Sequence, residues 1–265
     1  MTDSIKKELV AAGQRSDATS QAAKKNYAEA LSRALATRFA NELRGSFEGI
    51  LPDVNGIGHE TRARSSKGYK KLDVNYSTIQ LGLGLGVSVK TINFRDAASG
   101  RYTKNYTRAD GELRAEASDY HIRQPYAVMI AVIFLPLDAC DDGTKRQAGS
   151  RKKETPSSFG QAVQIFRSRA GRKDPDDEPM LFERVFIGLY DVDPATFGDV
   201  IFFDVNQAPP KQGKPKVHLG FADLTSAITA TYDQRNSPPF MWAEGDVETV
   251  IPESIADEGA DEEDE

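Results

Sequence analysis

The run Ala127-Val-Met-Ile-Ala-Val-Ile-Phe-Leu135 carries no polar side chain. A continuous apolar stretch of this length fits a strand buried on both faces, the kind found inside α/β sheets covered by helices above and below. Extended to Leu137 the run is still only eleven residues long and is closed by Pro136. A bilayer-spanning helix needs about 20 residues.

The flanking patterns suit that centre. Tyr27, Leu31, Leu35, Phe39, Leu43 and Phe47 recur every four residues, the apolar stripe of a long amphipathic helix. Gly45, Gly49 and Pro52 mark its end. After a Gly-rich turn at 55–58 the period changes to two. Leu72, Val74 and Tyr76 alternate with Asp73, Asn75 and Ser77. Next comes Leu81-Gly-Leu-Gly-Leu-Gly-Val-Ser-Val-Lys90. Alternation puts Leu81, Leu83, Leu85, Val87 and Val89 on one face and Gly82, Gly84, Gly86, Ser88 and Lys90 on the other. Helices are expected over 110–120, 159–169 and 220–232, and strands over 181–190 and 200–205. Together these predict an α/β fold, a mixed central sheet flanked by helices.

Residues 1–22 are polar and rich in Ala, Ser and Lys, and are expected to form a flexible arm or a frayed helix. One domain is expected over 23–245 and an acidic, disordered tail over 246–265. The last thirteen residues hold eight acids, no base and one aliphatic, Ile255, too little to bury a core. Removing those eight negative charges from the net −6 leaves +2. The tail is read as solubilising, or as a segment that docks on a basic groove or a protein partner. A single cysteine, Cys140, excludes an internal disulfide and a cysteine-cluster zinc site, which makes the cytoplasm the expected compartment. His59, His121 and His218 lack metal-ligand spacing.

Two basic groups stand out: Arg62, Arg64, Lys67, Lys70 and Lys71, and then Lys145, Arg146, Arg151, Lys152 and Lys153. The second is read as a solvated loop. The first leads into the strand carrying Asp73 and is the candidate DNA-binding surface. If the strands carrying Asp73 and Ser88-Val-Lys90 pair, a carboxylate and a lysine share one glycine-lined face. A carboxylate suits Mg²⁺, which prefers oxygen ligands. A lysine can orient water or stabilise a developing oxyanion.

This arrangement resembles the core of the PD-(D/E)xK nuclease superfamily: helix, strand with Asp, strand with (D/E)xK, helix, strand. The pieces are the helix over 25–47, Leu72-Asp73, Ser88-Val89-Lys90 and Gly86 to Phe94. The resemblance covers roughly residues 27–137. It implies a restriction-endonuclease-like fold, a Mg²⁺-dependent endonuclease of restriction or anti-phage type acting on double-stranded DNA, and by analogy a homodimer. One departure is that Ser88 stands where the family has an acid. A glutamate on the following helix can replace it, and Glu116 is chosen over Glu112, one turn earlier on the same face. The first helix of such folds often supplies another acid, for which Glu42 is the candidate. Two other readings remain: a nuclease-fold module that binds DNA or a partner without cleaving, favoured by Ser88, and an unrelated α/β protein in which Asp73 and Lys90 form a surface ion pair.

Overall fold

A computed structural model describes residues 3–78, 82–144, 154–210 and 212–237, apart from the side chains of Arg64 and Tyr69. The second basic group, the acidic tail and the apolar cluster Phe240 to Trp242 lie outside the described residues. Seven strands are described: β1 (Thr61–Ser65), β2 (Gly68–Leu72), β3 (Val74–Thr78), β4 (Gly82–Thr91), β5 (Val128–Pro136), β6 (Arg184–Tyr190) and β7 (Val200–Asp204). Five α-helices are described: α1 (Lys6–Ala12), α2 (Gln21–Leu43), α3 (Tyr106–Arg123), α4 (Ser158–Arg167) and α5 (Phe221–Arg235).

The apolar run behaves as its composition demands. β5 is buried along its whole length and lies at the centre of a mixed sheet of order β3-β4-β5-β6-β7. It pairs in parallel with β4 and β6, while β3 and β7 run antiparallel at the two edges. Alternate residues of β5 enter different cores. Met129, Ala131, Ile133 and Leu135 face α3 and α4, and Val128, Ile130, Val132 and Phe134 face α1, α2 and α5. The period-four stripe of α2 is the wall of the second core, with Leu31, Leu35 and Phe39 fully buried. The chain is thus a mixed α/β sheet covered by helices on both faces.

Two expectations need correction. Residues 3–20 are packed, not loose. Ile5 and Leu9, one helical turn apart on or beside α1, are buried at 0% and 1% exposure against α2. The alternation along β4 is also broken. A register shift opposite Tyr76 and Ser77 leaves Gly84 as an extra residue on β4. Leu83 consequently joins the core under α3, whereas Leu85, Val87 and Val89 join the core under α2. Of the three glycines in the string, Gly86 is the one that shares a face with Ser88 and Lys90. A Cβ there would approach Met129 Sδ to 2.7 Å, so only glycine fits without rearrangement.

Candidate active site

Asp73 does not lie within one continuous strand. β2 pairs with β1 in a small two-stranded sheet, β3 joins the main sheet, and Asp73 is the bend between them. Leu72 falls in the core beneath α3 and Val74 in the core beneath α2, so the chain rotates through this residue.

The same bend opens the sheet. The β3–β4 ladder ends at the pair Val74 and Val87. Beyond it, Ser88 to Thr91 retain β5 on one side and no strand on the other among the described residues. Side chains satisfy the freed backbone groups. Asp73 Oδ2 accepts the Val89 N–H at 2.7 Å, and the Ser32 hydroxyl of α2 donates to the Val89 carbonyl at 3.3 Å.

On the α3 side of this open edge, Glu116 Oε2 accepts from the buried Ser88 hydroxyl at 3.0 Å and from Lys90 Nζ at 3.3 Å. The side chains of Lys90 and Glu116 are 24% and 15% exposed. Asp73, Ser88, Lys90 and Glu116 therefore converge, and Lys90 makes its ion pair with Glu116. Glu112 instead pairs with Arg108 at 2.7 Å.

The charges are unevenly balanced. Burial, followed by the Glu116 carboxylate, pushes Asp73 up to about 7 against the pull of the Val89 amide and Lys90. Burial pulls the Lys90 ammonium down, but the carboxylates of Glu116, Asp73 and Glu112 outweigh it, and its pKa stands above the ordinary lysine value. Two carboxylates share one lysine in a poorly hydrated corner.

Glu42 is not part of this group. It pairs with Arg38 at 2.7 Å, and the Arg38 guanidinium lies over Phe221 at the start of α5. The part of α2 that reaches β4 is near Ser32, about 15 Å along the helix axis from Glu42. The α2 acid beside the open edge is Glu29. It lines a cleft of about 750 Å³ between α2, the end of β4 and α3, together with Lys24, Lys25, Lys90, Lys104 and Arg108. Sequence reasoning missed this cleft because its cations come from three separate segments and form no local cluster.

The expected DNA-binding group divides. Arg62 and Lys71 are partners across the β1–β2 ladder, and both are exposed. Lys71 pairs with Glu60 at 2.9 Å. Lys70 and Lys67 both turn to Asp119 of α3, whose side chain is 3% exposed. Together with the Tyr120 hydroxyl donating to the Lys70 carbonyl at 2.8 Å, they anchor the hairpin to α3. Arg64 lies on β1, opposite Tyr69.

Among the described residues, no three His, Cys, Asp or Glu side chains form a group that could hold a metal ion. Asp73 and Glu116 nonetheless supply two hard oxygen donors. One or two carboxylates, completed by water and substrate phosphate, is the usual protein contribution to Mg²⁺ binding. No helix among the described residues is long and apolar enough to cross a membrane. Comparison with protein families, curated proteins and solved structures found no match to this chain.

Proposed function

We propose that the chain is a Mg²⁺-dependent DNA endonuclease of restriction or anti-phage type, built on a restriction-endonuclease-like core. The observation that carries this reading is the convergence at the splayed end of β3 and β4. Asp73 comes from the bend, Ser88 and Lys90 from β4, and Glu116 from α3, where it would stand in for the acid that the nuclease pattern has at position 88. Asp73 and Glu116 would hold the ion. Mg²⁺ bound there would lower the pKa of an attacking water and offset charge on the phosphate. Lys90, held by Glu116, would orient that water or stabilise the developing oxyanion. Ser88 positions Glu116.

A second reading, a nuclease-fold module that binds DNA without cutting, draws on one observation. Asp73 Oδ2 and Glu116 Oε2 already accept hydrogen bonds from Val89, Ser88 and Lys90. A plasmid-nicking assay in Mg²⁺ or EDTA separates the two. Wild type should nick only with Mg²⁺, and Asp73→Asn and Lys90→Ala should each lose activity by orders of magnitude while keeping their fold. Normal cutting by Asp73→Asn would remove the proposed site. A gel shift in EDTA with no nicking in Mg²⁺ would select the binding module.

A further inference from the structure

A second groove, of about 580 Å³, lies beside the cleft. Its walls carry Tyr27, Phe94 and Phe197 as aromatics and Leu9, Val10 and Val192 as aliphatics, with Arg15 the one charged group among the described lining residues. Phe94 lines both this groove and the cleft that contains Lys90. Lys24 Nζ stands 5.4 Å from the Phe94 ring centre, and the Arg15 guanidinium stands 5.8 Å from it. Arg15 is itself tethered, donating to the Tyr102 hydroxyl at 3.0 Å, which in turn donates to Asp138 at 2.8 Å.

We infer that this groove receives one unpaired nucleobase of the strand whose phosphate lies at Lys90 and Glu116. The inference rests on the nucleic-acid reading above and narrows its substrate to strands with an unpaired nucleotide near the scissile bond. Three features support it. The volume lies in the range of small-ligand pockets, which are mostly apolar with a few placed polar groups. The lining is aromatic and cationic, the combination on which bases stack. The groove also shares Phe94 with the cleft, where Lys24 lies over that ring and Lys25, Lys104 and Arg108 pair with Glu29, Asp96 and Glu112, so a strand whose backbone follows the cleft can turn a base past Phe94. The span is short. Ser32 touches β4 at Val89 and Lys24 touches Phe94, eight residues and about 12 Å apart along α2. A continuous duplex keeps its bases stacked and cannot fill the groove. A frayed end, an overhang or a flipped nucleotide can.

The test is binding by the full chain in EDTA, where cleavage plays no part. Fluorescein-labelled DNA is used as a blunt duplex and as the same duplex with a single-stranded overhang carrying 2-aminopurine. Stacking of one base predicts about tenfold tighter binding of the overhang form, with a change in 2-aminopurine emission. Val10→Trp fills the groove from a position that is 65% exposed, so folding is expected to survive. It should abolish the tenfold preference and the emission change while leaving blunt-duplex affinity intact. Val192→Trp, from another wall, gives the same readout if Val10→Trp melts early. Equal affinity for both DNAs, with silent Trp variants, would overturn the pocket and leave the nuclease reading standing. Failure to bind either DNA would overturn both.

Discussion

Two of the buried charge clusters among the described residues are built on opposite rules. At Glu183, just before β6, the carboxylate is fully buried and surrounded by donors. The Met129 amide donates to Oε2 at 2.7 Å, and Arg235 Nε donates to Oε1 at 3.2 Å. Arg172 Nη1 stands 3.7 Å away and His121 Nε2 3.6 Å away. Arg172 also donates to the carbonyls of Pro125, Asp174 and Pro175. One acid thus ties together β5, β6, the end of α5 and the loop after α4. At Asp73 and Glu116 the ratio is reversed, with two carboxylates to one lysine. Overcompensation marks a charge that holds a fold together. Undercompensation marks a site that a cation from solution can complete.

The largest stability difference should come from Glu183→Gln. It leaves Arg172 and Arg235 facing a neutral amide in a closed interior, at a cost of roughly 3 kcal/mol. Calorimetry should show a large fall in Tm, and a change under 0.5 kcal/mol would erase the contrast. Asp73→Asn should act in the other direction. The raised pKa means that folded wild type binds a proton more tightly than the unfolded chain does. Its stability therefore falls as pH rises from about 4 to about 7 and is flat above that. Asn can still accept the Val89 N–H and carries no charge, so the variant should gain on wild type across that window and keep the gain at pH 8. Parallel stability curves for the two proteins would show that Asp73 is not held near neutrality.

Lys90→Met removes the cluster's one cation. At pH 8 it should destabilise by about 1–2 kcal/mol, through repulsion between the two carboxylates, and at pH 5 by less, because Asp73 is then protonated. Millimolar Mg²⁺ should recover part of the loss in thermal melts, and no recovery would argue against an ion between Asp73 and Glu116. Ser88→Ala should be the mildest change, about 1 kcal/mol for one hydrogen bond, with cleavage reduced rather than abolished. Loss of cleavage equal to that of Lys90→Ala would give the hydroxyl a direct role.

What the sequence disclosed depended on whether a signal was local. The stripe of α2 and the apolar run of β5 are visible because burial repeats at the period of the element. Helical spacing puts Glu112 and Glu116 on one face and cannot separate them; only the structure distinguishes the two, with Glu116 against Ser88 and Lys90 and Glu112 on Arg108. The bulge at Gly84 left no trace, since glycine has no side chain to say which face it occupies. The α1 segment was hidden by its polar surroundings, although Ile5 and Leu9 at i and i+4 were the available clue. Glu42 is suggested only by the helix it sits on, and the sequence does not say which turn of that helix meets β4. The Glu183 cluster draws on His121, Arg172 and Arg235, which only tertiary folding brings together.

The outer edge of β7 is capped piecemeal. Val200 donates to the Asp3 carbonyl at 2.9 Å, Ile5 donates to Gly198 at 2.8 Å, and Phe202 exchanges two backbone hydrogen bonds with Leu219. The Asp3 carboxylate also accepts the first amide of α5 at 2.7 Å. The strand beneath these caps reads Val-Ile-Phe-Phe, a template for adding another molecule's strand if it is uncovered. Proteolytic trimming ahead of α2 would therefore do more than remove a short helix: it would open an edge at which the sheet can take up a strand from another copy of the chain.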